Sequence, residues 1–314
     1  MTRRELRLGT RRSVMAMTQA GRVAQMITSR VGRGVDLVGV TTFGDVSKAE
    51  LAQIGGTGVF VSALRERLLD GEIDLAVHSL KDLPTARPHA IALAAVPARD
   101  DPRDALVSRA DTKLYDLPPC ARVGTGSPRR IGQLRALRPD LECVPIRGNA
   151  DTRLGRVAAG DLDAVVLAYA GLVRIGRQDA VSQIFEIDEM LPAPGQGALA
   201  VECRADDGEL IDQLAAIDDL VSRDAVTAER GVLAALEAGC SAPVGAYAAG
   251  GDVLHLHAVV LATDGRDAVR LSRSGPAGQA EQLGRDLAAE LLARGAAAHI
   301  AVPTARSNTG EHPR

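Results

Sequence analysis

Short apolar runs alternate with amphipathic stretches along most of the chain. Residues 5–9 alternate as a strand does, and the turn Gly9-Thr10-Arg11-Arg12-Ser13 leads into a helix reaching about Arg30, with Val14, Met17, Val23, Met26 and Ile27 apolar. A second strand is predicted at 35–41, a helix at 59–69, and a short strand at 74–78 that delivers Ser79-Leu80-Lys81-Asp82-Leu83-Pro84. Strands at 91–96 and 105–107 flank the charged segment Asp100-Asp101-Pro102-Arg103-Asp104, which reads as a crossover between domains. Further strands are predicted at 122–124, 141–146 and 163–168, each followed by a helix. The rigid turn 191–197 runs into a strand that can return the chain to the first domain, and the helix 222–236 precedes three strands and a last helix at 277–294. Residues after about 303 read as a disordered tail. Strands alternating with helices specify an α/β architecture with largely parallel sheets.

The turns between these elements repeat one composition. Arg11 and Ser13, Ser127-Pro128-Arg129-Arg130, and Arg147 with Arg153 each place cations and hydroxyls at a helix start following a strand. Ser127 with Pro128 is a helix-start signal, and Ser13 fits an ordinary N-cap as well as an anion site. Arginines in a first helical turn oppose the helix dipole, a cost that a bound anion offsets. Three such turns, with Arg174 beyond the strand at 163–168, argue for a polyanionic ligand at strand ends. Asp82 lies where open α/β sheets bind ligands; a surface pair with Lys81 is the plainer alternative. Residues 42–58, rich in glycine, suggest a mobile lid.

Composition narrows this picture. Hydrophobic residues make up 46% of the 314 residues and aromatics 2%, so the core is aliphatic and base-stacking platforms are absent. The net charge of −3 excludes a generally basic nucleic-acid binder. Lysine occurs only at Lys48, Lys81 and Lys113; every other cation is arginine, which grips carboxylates in a planar fork. Cys120, Cys143, Cys203 and Cys240 form no metal-ligand spacing and the histidines read as structural, so no metal is expected. The N-terminal residues contain no apolar signal segment, and no apolar run is long enough to span a bilayer, so a cytoplasmic protein with reduced thiols is expected.

One cysteine stands apart. In Leu236-Glu237-Ala238-Gly239-Cys240-Ser241-Ala242-Pro243, a helix ends, with Gly239 as its expected C-terminal glycine, and Cys240 follows in a short loop. The partial negative charge of a helix C-terminus opposes thiolate formation, so Cys240 suits an anchor better than a turnover nucleophile. A small buried hydrophobe at a turn is the alternative.

In order, Arg7-Leu8-Gly9-Thr10-Arg11 with Ser13, His78-Ser79-Leu80-Lys81-Asp82-Leu83-Pro84, Asp101-Pro102-Arg103-Asp104, Val123-Gly124-Thr125-Gly126-Ser127-Pro128-Arg129-Arg130, Arg147-Gly148-Asn149, Gln196-Gly197 and Gly239-Cys240 with Pro243 resemble the porphobilinogen deaminase, or hydroxymethylbilane synthase, family. The resemblance covers residues 5–303. It implies three α/β domains: two like type II periplasmic binding proteins, formed by 1–98 plus 198–216 and by 103–192, and a small open-faced one at 220–303, leaving 304–314 as a disordered tail. It implies a transferase of tetrapyrrole biosynthesis that condenses four porphobilinogens into hydroxymethylbilane with loss of ammonia, working as a monomer without nucleic-acid or membrane partners. It further implies a dipyrromethane cofactor attached through a thioether to Cys240 and held by Lys81, Thr125, Ser127, Arg129, Arg130 and Arg147. Asp82 is implied as the catalytic carboxylate, and Arg11, Ser13, Arg147, Arg153, Arg174 and Gln196 as substrate contacts. Without the resemblance, the same turns suit a non-catalytic polyanion-binding protein. Two departures stand out: Gly126 replaces a second serine common in the family, and Thr57 and Ser62 replace lysines in the 55–62 segment, for which Arg65 is a candidate substitute.

Overall fold

The computed structural model describes residues 4–40, 58–86, 88–239 and 242–300, without the side chains of 58–60; the expected anchor at Cys240, lid at 42–58 (save its last residue), contact change at Thr57 and tail at 304–314 lie outside the described residues. Its elements fall into three sheets.

In the first sheet, β1 (Leu6–Arg11), β2 (Val35–Val40) and β3 (Leu75–Ser79) are parallel, while β10 (Leu199–Arg204), arriving from much later in the chain, inserts antiparallel between β3 and β4 (Ile91–Ala95). The second sheet repeats the order. β6 (Arg122–Gly124) lies parallel between β7 (Glu142–Val144) and β8 (Ala164–Ala168), and β5 (Asp104–Ser108), the first strand after the charged segment, runs antiparallel between β8 and β9 (Gln183–Ile184). Each sheet therefore takes one strand from just beyond a crossover.

Both faces of these sheets are buried, which explains their unbroken apolar runs. Along β8, Ala164 and Val166 pack into one cluster and Val165 and Leu167 into another. In β3, Leu75 and Val77 share a core with α1 (Val14–Val31), and Ala76 faces a second core under α2 (Gly58–Leu69). Helix starts follow the sequence signals: Ser13 caps α1 through Ala16 N, Ser127 caps α3 (Pro128–Leu137), and Asn149 caps α4 (Ala150–Ala158) through Thr152 N. The short α5 (Tyr169–Arg174) follows β8, and α6 (Gly208–Leu214) follows β10.

The third sheet is an antiparallel meander of β11 (Val244–Gly250), β12 (Val253–Leu261) and β13 (Ala268–Pro276). One face is covered by α7 (Leu220–Ala235) and α8 (Ala280–Ala293), whose backbones approach closely at Gly231 and Gly284. The single-turn α9 (Ala297–Ile300) follows. On the other face, Val259 and Leu261 pack against Leu191 of the incoming crossover.

The end of α7 departs from expectation. Glu237, not Gly239, takes the left-handed conformation, at φ 50. Glu237 N donates to Ala234 O and Ala238 N to Leu233 O, a complete Schellman closure, and Leu233 and Ala238 are both buried in the same core. Burial of Ala238 beneath the helix end outweighs the steric cost of a non-glycine there.

Candidate active site

A cavity of about 920 Å³ opens where the strand ends of the first two sheets face each other. Arg11 and Ser13 reach it from the β1–α1 turn, Lys81 and Asp82 from the end of β3, Arg130 from α3, Arg147 and Arg153 from around the start of α4, and Arg174 from α5. Eight of the residues expected to contact cofactor or substrate, or to carry the chemistry, thus converge on one space. Five arginines and a lysine among them make a wall suited to carboxylates.

Thr125, Ser127, Arg129 and Gln196 lie behind that wall. Asp104, fully buried, holds Arg129 and Gln196 there. Its Oδ2 accepts from Arg129 Nη1 at 2.7 Å, and its Oδ1 accepts from Arg130 Nη2 at 2.7 Å and from Gln196 Nε2 at 2.8 Å. Burial opposes ionisation of Asp104, but the two guanidiniums outweigh it and hold the carboxyl well below the usual range. Arg129 also donates to Leu191 O at 2.6 Å and is only 3% exposed, so it supports the cavity without opening to it. Arg130 donates to Asp104 and to Val166 O and still reaches the cavity. Thr125 Oγ1 accepts from Ser127 N at 3.2 Å, and Ser127 is occupied as an N-cap. In the sequence Asp104 is only part of a charged segment, and no periodicity marks it as a buried counter-ion.

Gln196 joins both crossovers to the site. Its Nε2 donates to Pro102 O at 2.7 Å, and its Oε1 accepts from Lys81 Nζ at 3.2 Å. Burial, reinforced by Arg130, lowers the Lys81 amine from its ordinary value to about 8. Arg174 reaches the cavity while donating to Asp100 Oδ2 at 2.8 Å and Gly197 O at 2.5 Å. Arg153 Nε donates to Gly148 O at 2.9 Å, and its guanidinium is destabilised by burial and by Arg130.

Two further features escaped the sequence reading. Gln19, one and a half turns into α1, lines the cavity and donates to Ser79 Oγ at 2.9 Å. Arg65 is held bidentately by Glu202, at 2.6 and 3.0 Å, with His78 Nε2 3.4 Å from the same carboxylate. Burial works against Glu202 ionising, but His78 and Arg65 bring its pKa down to about 2. This engagement makes Arg65 one half of a buried ion pair. At Gly126, a Cβ would stand 2.8 Å from Ile146 O, so this backbone has no room for the second serine that the sequence resemblance implies there. The cavity and its cationic wall fit a group rich in carboxylates. Among the described residues, no three His, Cys, Asp or Glu side chains are grouped to hold a metal ion.

The chain matches two family models: "porphobilinogen deaminase, dipyromethane cofactor binding domain" over residues 6–212, and "porphobilinogen deaminase, C-terminal domain" over 224–293. It is 60% identical over 300 residues to a porphobilinogen deaminase of Thermobifida fusca, covering 92% of this chain and 94% of the relative. Porphobilinogen deaminase 1 of Streptomyces coelicolor is 58% identical over 311 residues, covering 95% and 98%. Among solved structures, a periplasmic substrate-binding protein from Coxiella burnetii aligns at a TM-score of 0.43 and 16% identity, over 68% of this chain and 91% of that one.

Proposed function

The chain belongs to the porphobilinogen deaminase family, and on that premise we propose how its own residues carry out the reaction. It is a transferase of tetrapyrrole biosynthesis that condenses four porphobilinogens into hydroxymethylbilane, releasing ammonia, on a covalently attached dipyrromethane. When bound, the dipyrromethane supplies the pyrrole carbon that joins the first substrate. Cys240 is its tether, and Lys81, Arg130 and Arg147 bind its carboxylates, with Thr125, Ser127 and Arg129 holding those groups in place from behind.

The observation that carries this reading is a carboxylate, Asp82, set among cationic groups in one cavity. Each porphobilinogen brings an acetate and a propionate, which Arg11, Ser13, Arg147, Arg153 and Arg174 bind. When the amino nitrogen of the aminomethyl group leaves as ammonia, its methylene carbon stays on the ring as the electrophile and positive charge spreads onto the pyrrole nitrogen. Asp82 accepts a hydrogen bond from that N–H and stabilises the charge, and it can take up the proton released when the new carbon–carbon bond to the methylene has formed. Gln196 contributes by fixing Lys81. We assign 1–98 plus 198–216, 103–192 and 220–303 to the three domains because each carries one of the three sheets.

A monomer in the cytoplasm, acting without nucleic acid or membrane, fits the net charge of −3 and the lack, among the described residues, of any helix long and apolar enough to cross a membrane. Intact-mass spectrometry tests the central assignment. The purified protein is expected to carry an increment matching one dipyrromethane, absent from Cys240→Ser. An unmodified yet active protein overturns the tether. Asp82→Asn is expected to keep the increment and lose about 100-fold or more in turnover; a near-normal rate removes Asp82 from the chemistry.

A further inference from the structure

The segment that presents Asp82 is short and has little backbone support of its own. Leu80–Asp82 is one 3-10 turn, closed by Leu83 N donating to Leu80 O at 3.1 Å and joined to β10's approach by Leu80 N donating to Ala198 O at 3.0 Å. The carbonyls on either side of Asp82 take further donors from elsewhere. Arg230, half-buried on α7, donates Nη1 to Leu80 O at 3.2 Å and to Leu83 O at 3.0 Å, and Nη2 to Pro84 O at 2.7 Å. One guanidinium thus spans the turn from the residue two before Asp82 to the residue two after it.

The helix bearing Arg230 is itself held firmly. The preceding residue, Glu229, is fully buried and accepts from both Nη atoms of Arg99, at 2.6 and 3.0 Å, from Gly195 N at 2.7 Å and from Ala248 N at 2.9 Å. Those donors come from the first crossover, the second crossover and β11. The C-terminal end of the same helix leads, five residues after Ala235, to Cys240.

We infer that Arg230 is a positioning residue for Asp82. It acts through three carbonyls, fixing the turn so that the Asp82 carboxylate keeps one location in the cavity. The planar fork matters, because its separate N–H groups satisfy three acceptors at once, whereas an ammonium is a single point. Displacement of a catalytic group by about 1 Å costs up to about 100-fold in rate, so a modest slackening of this turn is enough to be read in turnover. The inference rests on the assignment of Asp82 given above.

The test compares Arg230→Met, Arg230→Lys, Asp82→Asn and the double variant Asp82→Asn/Arg230→Met in the full chain. Arg230→Met is expected to retain the covalent mass increment, change KM by less than about 3-fold, and lower kcat by about 10- to 100-fold. Arg230→Lys should recover part of that loss. Amide hydrogen exchange in 80–84 should quicken in Arg230→Met, while exchange in β3 and α7 stays near wild type. The double variant should be no slower than Asp82→Asn alone, because both changes remove one contribution. Unchanged kcat and exchange in both Arg230 variants, or losses that add fully in the double variant, overturn the inference. If Arg230→Met does not fold, Arg230→Lys decides: wild-type kcat with wild-type exchange in 80–84 refutes positioning. Normal turnover by Asp82→Asn is a separate failure, that of the Asp82 assignment.

Discussion

At the scale of the residue, the two arginines that sit side by side at the start of α3 have separate tasks. Arg129 is locked to Asp104 and Leu191 O, whereas Arg130 shares Asp104 and still faces the cavity. Arg129→Leu is therefore expected to cost about 3 kcal/mol of stability, because Asp104 loses one of its two compensating charges while buried. Arg153→Leu should leave stability within about 0.5 kcal/mol and raise KM by about 10-fold or more, as loss of a charge-assisted contact does. Denaturant titration alongside steady-state kinetics separates the two; equal effects on stability would show that the buried pair adds nothing. Lys81 gives a pH signature. Its folded pKa lies near 8, below the ordinary 10.5, so between those values the unfolded chain binds more protons and stability rises with pH. In cofactor-free protein carrying Cys240→Ser, the unfolding midpoint relative to that of the same protein with Lys81→Met should climb from about pH 8 to 10.5. A flat difference would mean the amine is not desolvated.

At the scale of the element, helix starts were legible because their signals are local: Ser127 and Pro128 are cap and first-turn residues by their own chemistry. The end of α7 was not, since what places Glu237 in the left-handed region is burial of Ala238 against Leu233, a matter of what packs beneath. Pairing of α7 with α8 is equally nonlocal. A Cβ on Gly284 would stand 2.2 Å from Ala228 O, so Gly284→Ala must push the helices apart. The expected cost is about 1–3 kcal/mol, seen as a lower thermal midpoint with the covalent increment intact. An unchanged midpoint would mean the helices slide apart freely.

At the scale of the whole molecule, Glu229 is the point where crossovers and third sheet meet, with Arg99, Gly195 and Ala248 all donating to it. Glu229→Ala strands a buried guanidinium and two amides, and is expected to cost about 3–5 kcal/mol in chemical unfolding; a loss below about 1 kcal/mol would mean water replaces the carboxylate there. Nothing in the sequence around Glu229 distinguishes it from other acids on an amphipathic helix. The sequence alone determined what depends on near neighbours: strand and helix order, the capped turns, the arginine-rich loops and the ordered motifs that carry the family. Asp82, Arg11, Arg147 and Arg153 were readable because their strand-end turns already aim them at the cavity. Only the tertiary structure decided which charges face the cavity and which face each other. That division rests on Asp104, Glu202 and Glu229, carboxylates whose partners lie 19 to 137 positions away in the chain and are brought within hydrogen-bond reach only when the sheets fold.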